Sequence, residues 1–378
     1  MKVCVVVCNS VWYDPRVRKQ LVEYNNSGVD LSCVGFECNR YDEEKLKTIP
    51  CKHTIVMQDK NFLGKQKNVL RKLKRDKIRK TNISNAIISY KPDVIHANDL
   101  DALIPSYYAA RKLKCKLIYD SHEICTENIG LIKRPLYARY LKTIERRLVK
   151  KIDKMVCVSN AAAEYFAKKY KIERPLVVTN CTLKSEKCEP LEKNEGFEVL
   201  NHGQFYAGRG YDVMVEASTH LKDFPEIKLA LRGFGVMEQS LKDRARELDA
   251  TNVIFYPKVL VQELIPMATK SRVGVAMTEN ICLNFALSVS NKLFEYAAAG
   301  LPVIMSNIPE HRYLNDKYKF GIVLIDDKPE TFAAAVLKLY TDKEFYNTCA
   351  KNAVILADEI NWENDFAKLL EIETNLLK

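Results

Sequence analysis

The sequence predicts an α/β protein made of two doubly wound units, each a parallel sheet covered by helices. Three observations carry that prediction. Short, continuously apolar runs alternate with longer helical stretches, the pattern of strands buried on both faces. A polar, charged segment at 181–196 interrupts the alternation, which then restarts. The length of 378 residues suits about two domains.

In chain order, strands are expected at 3–8, 31–35, 54–57, 94–96, 116–119, 154–158 and 176–179, with helices at 15–26, 65–90, 100–113, 135–151 and 160–170. After the polar segment, strands are expected at 198–202, 227–232, 253–256, 272–277, 302–306 and 322–325. Helices fall at 210–221, 237–248, 261–269, 291–299 and 329–340, and two more close the chain at 343–357 and 361–377. The boundaries that follow are 1–185 for the first unit, 196–360 for the second, and 361–378 for a last helix. Two such units in tandem place a ligand cleft between them, at the carboxyl ends of the strands.

Composition narrows the class. No apolar run reaches the roughly 18 residues that a membrane helix needs, and the start, MKVCVVVC, reads as a core strand, not a signal peptide. The 12 cysteines show no Cys-x-x-Cys pair and no zinc spacing, which points to free thiols in a reducing cytosol and to no metal. Charge is uneven. Residues 1–180 hold 36 Lys and Arg against 19 Asp and Glu, a net of +17, whereas the rest is net −6. The first half therefore calls for an anionic partner: nucleic acid, an anionic membrane or a phosphorylated acceptor. Its positive charge is concentrated at 60–80, with ten basic residues and one acid, and at 133–151, with eight and one. Solvated helix faces are the usual reason for such runs, but two in one unit make attachment to an anionic lipid surface credible.

The segment 290–304, SNKLFEYAAAGLPVI, is the most informative. It reads as a helix opening after a polar loop and ending at Gly300 before a strand. Lys292 and Glu295 share a face near its start. A helix N-terminus suits a phosphate, a lysine adds charge there, and a carboxylate one turn on can grip two vicinal hydroxyls. A nucleoside diphosphate presents those groups in that order. The plain alternative is a surface ion pair, although Lys before Glu is the less favourable order for one. On physics alone the two readings stay open.

This segment resembles the donor-nucleotide helix of glycosyltransferase family 4. So do DVIHANDLDALIPSYYAAR (93–111), KLIYDSHE (116–123), HGQFYAGRGYDVMVEA (202–217) and INWENDFAKLLEIETNLL (360–377), so that the resemblance spans nearly the whole chain. It implies the GT-B fold, two Rossmann-like domains facing a cleft with the C-terminal helix crossing back to the first. It also implies sugar transfer from a nucleotide-sugar with retention of anomeric configuration, with no cofactor and no bound metal. Arg209 and Lys292 would hold the diphosphate, Glu295 the ribose, and Ser290 and Asn291, with Ser288 and Val289, would offer groups at the helix start. His122 would lie beside the transferred sugar as the catalytic residue. Two departures stand out: many relatives carry an arginine where this chain has Gln204, and a second glutamate where it has Leu287.

In the loop after the first strand, Trp12 and Tyr13 could stack on an acceptor sugar and Arg16 bind an acceptor phosphate. Asp14 could do the work of a general base in an inverting enzyme, though the retaining reading is favoured. Asp99 would line the acceptor side, and His96 is read as structural. The acceptor implied is a glycan or a lipid-linked molecule in cell-surface polysaccharide or glycolipid synthesis, reached from the cytoplasm by a protein peripheral on the inner membrane face. Competing readings are a nucleotide-sugar epimerase of the same fold and a basic nucleic-acid-binding protein, for which no recognised motif speaks. A nicotinamide oxidoreductase is disfavoured, because the Gly208 and Gly233 loops each lack the third glycine.

Overall fold

The architecture is that of a computed structural model, which describes residues 1–9, 11, 14–36, 51–56, 69–132 and 134–378. The chain divides into two compact units, one of Met1–Val178 with Asp365–Lys378, the other of Thr179–Asn364.

The first unit is built on seven strands: β1 (Lys2–Val7), β2 (Asp30–Phe36), β3 (Lys52–Val56), β4 (Val94–Asn98), β5 (Lys116–Ser121), β6 (Lys154–Cys157) and β7 (Leu176–Val177). Their order is β3-β2-β1-β4-β5-β6-β7, and the pairings are parallel. Val3 to Val6 are fully buried, as a central strand covered on both faces requires. The order reverses between β1 and β4, and at such a switch point the loops leaving the carboxyl ends diverge. Helix Pro15–Asn26 follows β1 as expected. Asp14 caps it, its carboxylate accepting from the amides of Arg16 and Val17, both at 3.1 Å, and Pro15 opens its first turn. The C-terminal helix Trp362–Leu376 lends this unit its later turns, where Phe366 meets the Tyr24 ring edge-on at 4.9 Å.

The second unit repeats the plan with β8 (Phe197–Gln204), β9 (Ile227–Phe234), β10 (Val253–Pro257), β11 (Val273–Ala276), β12 (Val303–Met305) and β13 (Gly321–Val323). Their order is β10-β9-β8-β11-β12-β13, again in parallel, with the switch point between β8 and β11. Helix Asn291–Ala298 packs over β11. Gly274 makes that contact possible, since a Cβ there would sit 2.2 Å from the Tyr296 ring. The structure adds a helix, Pro309–Tyr318, where none was expected. Pro309 in its first turn and the left-handed Lys319 at its end are the local marks of it.

Among the described residues, no helix is long and apolar enough to cross a membrane, no cluster of three His, Cys, Asp or Glu could hold a metal ion, and the cysteines are free thiols.

Candidate active site

In the second unit, the side chains singled out from sequence converge at the β8–β11 switch point. Helix Asn291–Ala298 opens there, with Ser290 as its cap residue and Asn291 exposed in its first turn; the Ser290 hydroxyl makes no capping bond. Lys292 points back to β8. Its Nζ donates to Asn201 Oδ1 at 2.7 Å and to the Tyr211 hydroxyl at 3.2 Å, and lies 4.7 Å over the Tyr211 ring. Gly203, at φ +127°, leaves room for it, because a Cβ there would meet Lys292 Cε at 3.4 Å. Burial, and then Arg209 nearby, pull the Lys292 pKa down to about 7, with Glu295 opposing them. Arg209 donates to Thr278 Oγ1 at 3.3 Å and stacks over Phe285 at 4.6 Å. Its carbonyl accepts from Asn201 Nδ2 at 3.1 Å, so Asn201 ties both cations to the end of β8.

Glu295, one turn into the helix, keeps 24% of its side chain exposed, and its Oε2 lies 2.6 Å from His202 Nε2. Sequence reasoning missed His202. It ends the buried run of β8 just before Gly203, stacks against Tyr296 at 4.5 Å and donates its backbone N–H to the Tyr296 hydroxyl at 2.9 Å. A histidine immediately before the loop glycine was the one available signal. Glu279 also reaches this region through its amide, which donates to the Gly208 carbonyl at 3.0 Å. Its pKa is raised by burial and by Asp212 and Asp327. The arrangement presents two cations, a carboxylate fixed by a histidine, and a helix start, all on one sheet edge.

The first unit gathers a separate cluster at its own switch point. His122 follows β5 and is 13% exposed. Its Nε2 lies 2.8 Å from Asn98 Oδ1, and its Nδ1 faces Asp99 and Asp14 at 3.6 and 3.9 Å. Asp99 also accepts from the His122 backbone N–H at 3.0 Å. Burial pulls the imidazole pKa down, but Asp99 and Asp120 outweigh it and leave it raised. Burial pushes Asp99 up to about 6, against the pull of His122. The structure thus brings His122, Asp14 and Asp99 together.

Arg16 is corrected. It is buried and its guanidinium is committed to Asp120, with Nη2 at 2.8 and 2.9 Å from the two carboxylate oxygens and Nε at 3.0 Å. A side chain so enclosed does not reach an acceptor phosphate. Trp12 and Tyr13 lie outside the described residues, as do residues 60–68 of the basic stretch at 60–80. His96, read from sequence as structural, is fully buried within the sheet.

Two family models match this chain: Glycosyl transferases group 1 over residues 184–354 and Glycosyltransferase Family 4 over residues 27–182. Together they take in both units. The chain belongs to glycosyltransferase family 4. Among relatives of this glycosyltransferase, the alpha-monoglucosyldiacylglycerol synthase of Streptococcus pneumoniae is 22% identical over 360 residues, 89% of this chain and 73% of that protein. A glycosyltransferase from Rickettsia africae has a similar structure, with a TM-score of 0.76 at 15% identity, covering 100% of this chain and 98% of that one. An Anabaena protein, HepE, solved in complex with UDP, superposes with a TM-score of 0.77 at 13% identity, covering 99% and 100%. The fold of this glycosyltransferase is accordingly GT-B.

Proposed function

We propose that this glycosyltransferase takes its sugar from a nucleoside-diphosphate sugar and retains the anomeric configuration, without a bound metal or cofactor. The observation that carries the reading is the convergence of Arg209, Lys292 and Glu295 on one edge of the second sheet. Arg209 and Lys292 are placed to neutralise a diphosphate whose charge grows as the sugar leaves. Glu295, held through one oxygen by His202, keeps carboxylate surface for two ribose hydroxyls. The amides at Ser290 and Asn291 would add donors to phosphate. The Anabaena neighbour was solved with UDP, which supports a nucleotide in this kind of fold.

In the reaction, the bond from the anomeric carbon to the diphosphate breaks, and the acceptor oxygen bonds to that carbon on the same face. The leaving diphosphate takes the acceptor proton. We assign to His122 a hydrogen bond to the sugar under transfer, and to Asp14 and Asp99 contacts with acceptor hydroxyls, since both carboxylates flank the imidazole. Leu287 leaves the sugar contacts of this chain different from those of relatives with a glutamate there.

For the acceptor we favour a lipid-linked molecule at the cytoplasmic face of a membrane. Helix Pro135–Leu148 supports this: Leu136 is 84% exposed, and Tyr137 and Tyr140 are exposed and stacked at 6.2 Å. Ile129 and Ile132 are exposed just before it, and Arg134, Arg139, Arg146 and Arg147 add charge beside these apolar groups. The name of the S. pneumoniae relative is that of a glycolipid synthase, in keeping with such an acceptor.

The test of the donor reading is a thermal-shift panel of UDP, GDP and ADP with their common sugars. One nucleotide should raise the melting temperature of the wild type, because a ligand that binds only the folded state stabilises it. Glu295→Ala should abolish the shift, and His122→Asn should keep it while turnover falls. No shift with any nucleotide would end the reading.

A further inference from the structure

Behind His122 runs a line of buried polar groups that donor binding does not use. Asp120, at the carboxyl end of β5, is fully buried between Arg16 and His96. His96 Nε2 lies 3.2 Å from Asp120 Oδ2, and the end of the Gln20 side-chain amide lies 2.7 Å from the same nitrogen, where its oxygen accepts when the ring is doubly protonated. On the other side of the ring, His96 Nδ1 lies 3.2 Å from Glu373 Oε1, which also accepts from the Tyr24 hydroxyl. Glu373 is fully buried and belongs to the C-terminal helix, and its Oε2 has no hydrogen-bond partner among the described residues.

Helix docking alone does not account for this line. Apolar side chains of similar size commonly hold such a contact as well as a buried ion pair, because desolvating the charges offsets their attraction. An unpartnered carboxylate oxygen adds a further cost. The charges nonetheless balance. Burial lowers the His96 pKa, but Asp120 and Glu373 overcome it and raise it to about 9, so the imidazolium sits between two carboxylates and Arg16 serves the second side of Asp120. Arg16 and His122 in turn overcome burial and hold the Asp120 carboxyl well below the usual range.

The line ends at His122. Asp120 Oδ2 lies 3.7 Å from His122 Nε2, the nitrogen that contacts Asn98 Oδ1 at 2.8 Å. Asn98 Nδ2 donates to the Val6 carbonyl at 3.3 Å, which turns its oxygen to the ring. Both neighbours of Nε2 are therefore acceptors, which keeps a proton on that nitrogen. Nδ1 is left facing Asp99 and Asp14.

We propose that Glu373 is a positioning residue for His122: acting through His96 and Asp120, the C-terminal helix holds the imidazole in its Nε2–H form. The proposal rests on His122 meeting the sugar, and its test separates the two claims. Glu373→Gln keeps the shape and removes the charge. Turnover should fall about tenfold, within what small misplacement of a reacting group costs, while the donor KM stays within twofold. Glu373→Asp should recover part of the loss. Imidazole 15N spectra of the intact protein supply a readout that needs no activity. In Glu373→Gln the His122 Nε2–H signature should weaken; an unchanged His122 spectrum would overturn the proposal. Should that variant fail to fold, the wild type decides. Its His122 resonances should show an inflection near pH 9, where His96 loses its proton, and a flat response there would refute the coupling. His122→Asn, assayed alongside, tests only the underlying reading: wild-type turnover in it would remove the catalytic role of His122, whatever Glu373 does.

Discussion

Lys292 is the residue whose charge most controls what the second unit can hold. Free lysine ionises near 10.5, but here burial and Arg209 bring it to about 7. A diphosphate beside Nζ favours the ammonium and raises that value again. Between pH 7 and 9 donor binding must therefore take up a proton, and affinity must fall as pH rises, by up to about tenfold per unit. Calorimetry in two buffers of different ionisation enthalpy measures the uptake directly. Lys292→Arg, charged at every accessible pH, should remove most of the pH dependence, and an equally steep dependence in that variant would count against the assignment. At this scale the shared helix position of Lys292 and Glu295 was legible in the sequence, because their spacing is local. His202 was not, since its role depends on an approach of 2.6 Å from a residue 93 positions away. Arg16 misled for a related reason. An arginine in a loop-to-helix turn is usually solvated, and only the fold brings Asp120 to it.

At the scale of elements, periodicity carried most of the fold. Helices Pro15–Asn26 and Asn160–Tyr170 have the expected bounds, set by the caps Asp14 and Ser159. Strands β8 and β9 run two residues further than their apolar cores, since pairing continues through the glycines at 203 and 233. Helix Pro309–Tyr318 escaped because its ten residues bury only Glu310, His311, Leu314 and Tyr318, two of them polar, so no apolar stripe announces it. The amphipathic helix Pro135–Leu148 supports a prediction of its own. The protein should co-sediment with phosphatidylglycerol vesicles and not with phosphatidylcholine vesicles at physiological salt. Leu136→Asp with Tyr140→Asp should reduce binding at least fivefold without lowering the melting temperature, as exposed side chains contribute little to stability. Vesicle binding unchanged in that double variant would place the docking surface elsewhere.

For the whole molecule, the tandem of two parallel sheets and the shift from a basic first half to an acidic second were readable in the sequence. The polar line through Arg16, Asp120, His96 and Glu373 was not, because it joins residues from both ends of the chain and no local pattern marks them. The proposed reaction turns on where a sugar nucleotide is held. The most direct measurement is a crystal structure with the nucleoside diphosphate that gives the largest melting shift. The pyrophosphate should lie at the start of helix Asn291–Ala298, within hydrogen-bond reach of Arg209 and Lys292, with the ribose hydroxyls on Glu295. A nucleotide bound elsewhere, with Glu295 and Lys292 untouched, would contradict it.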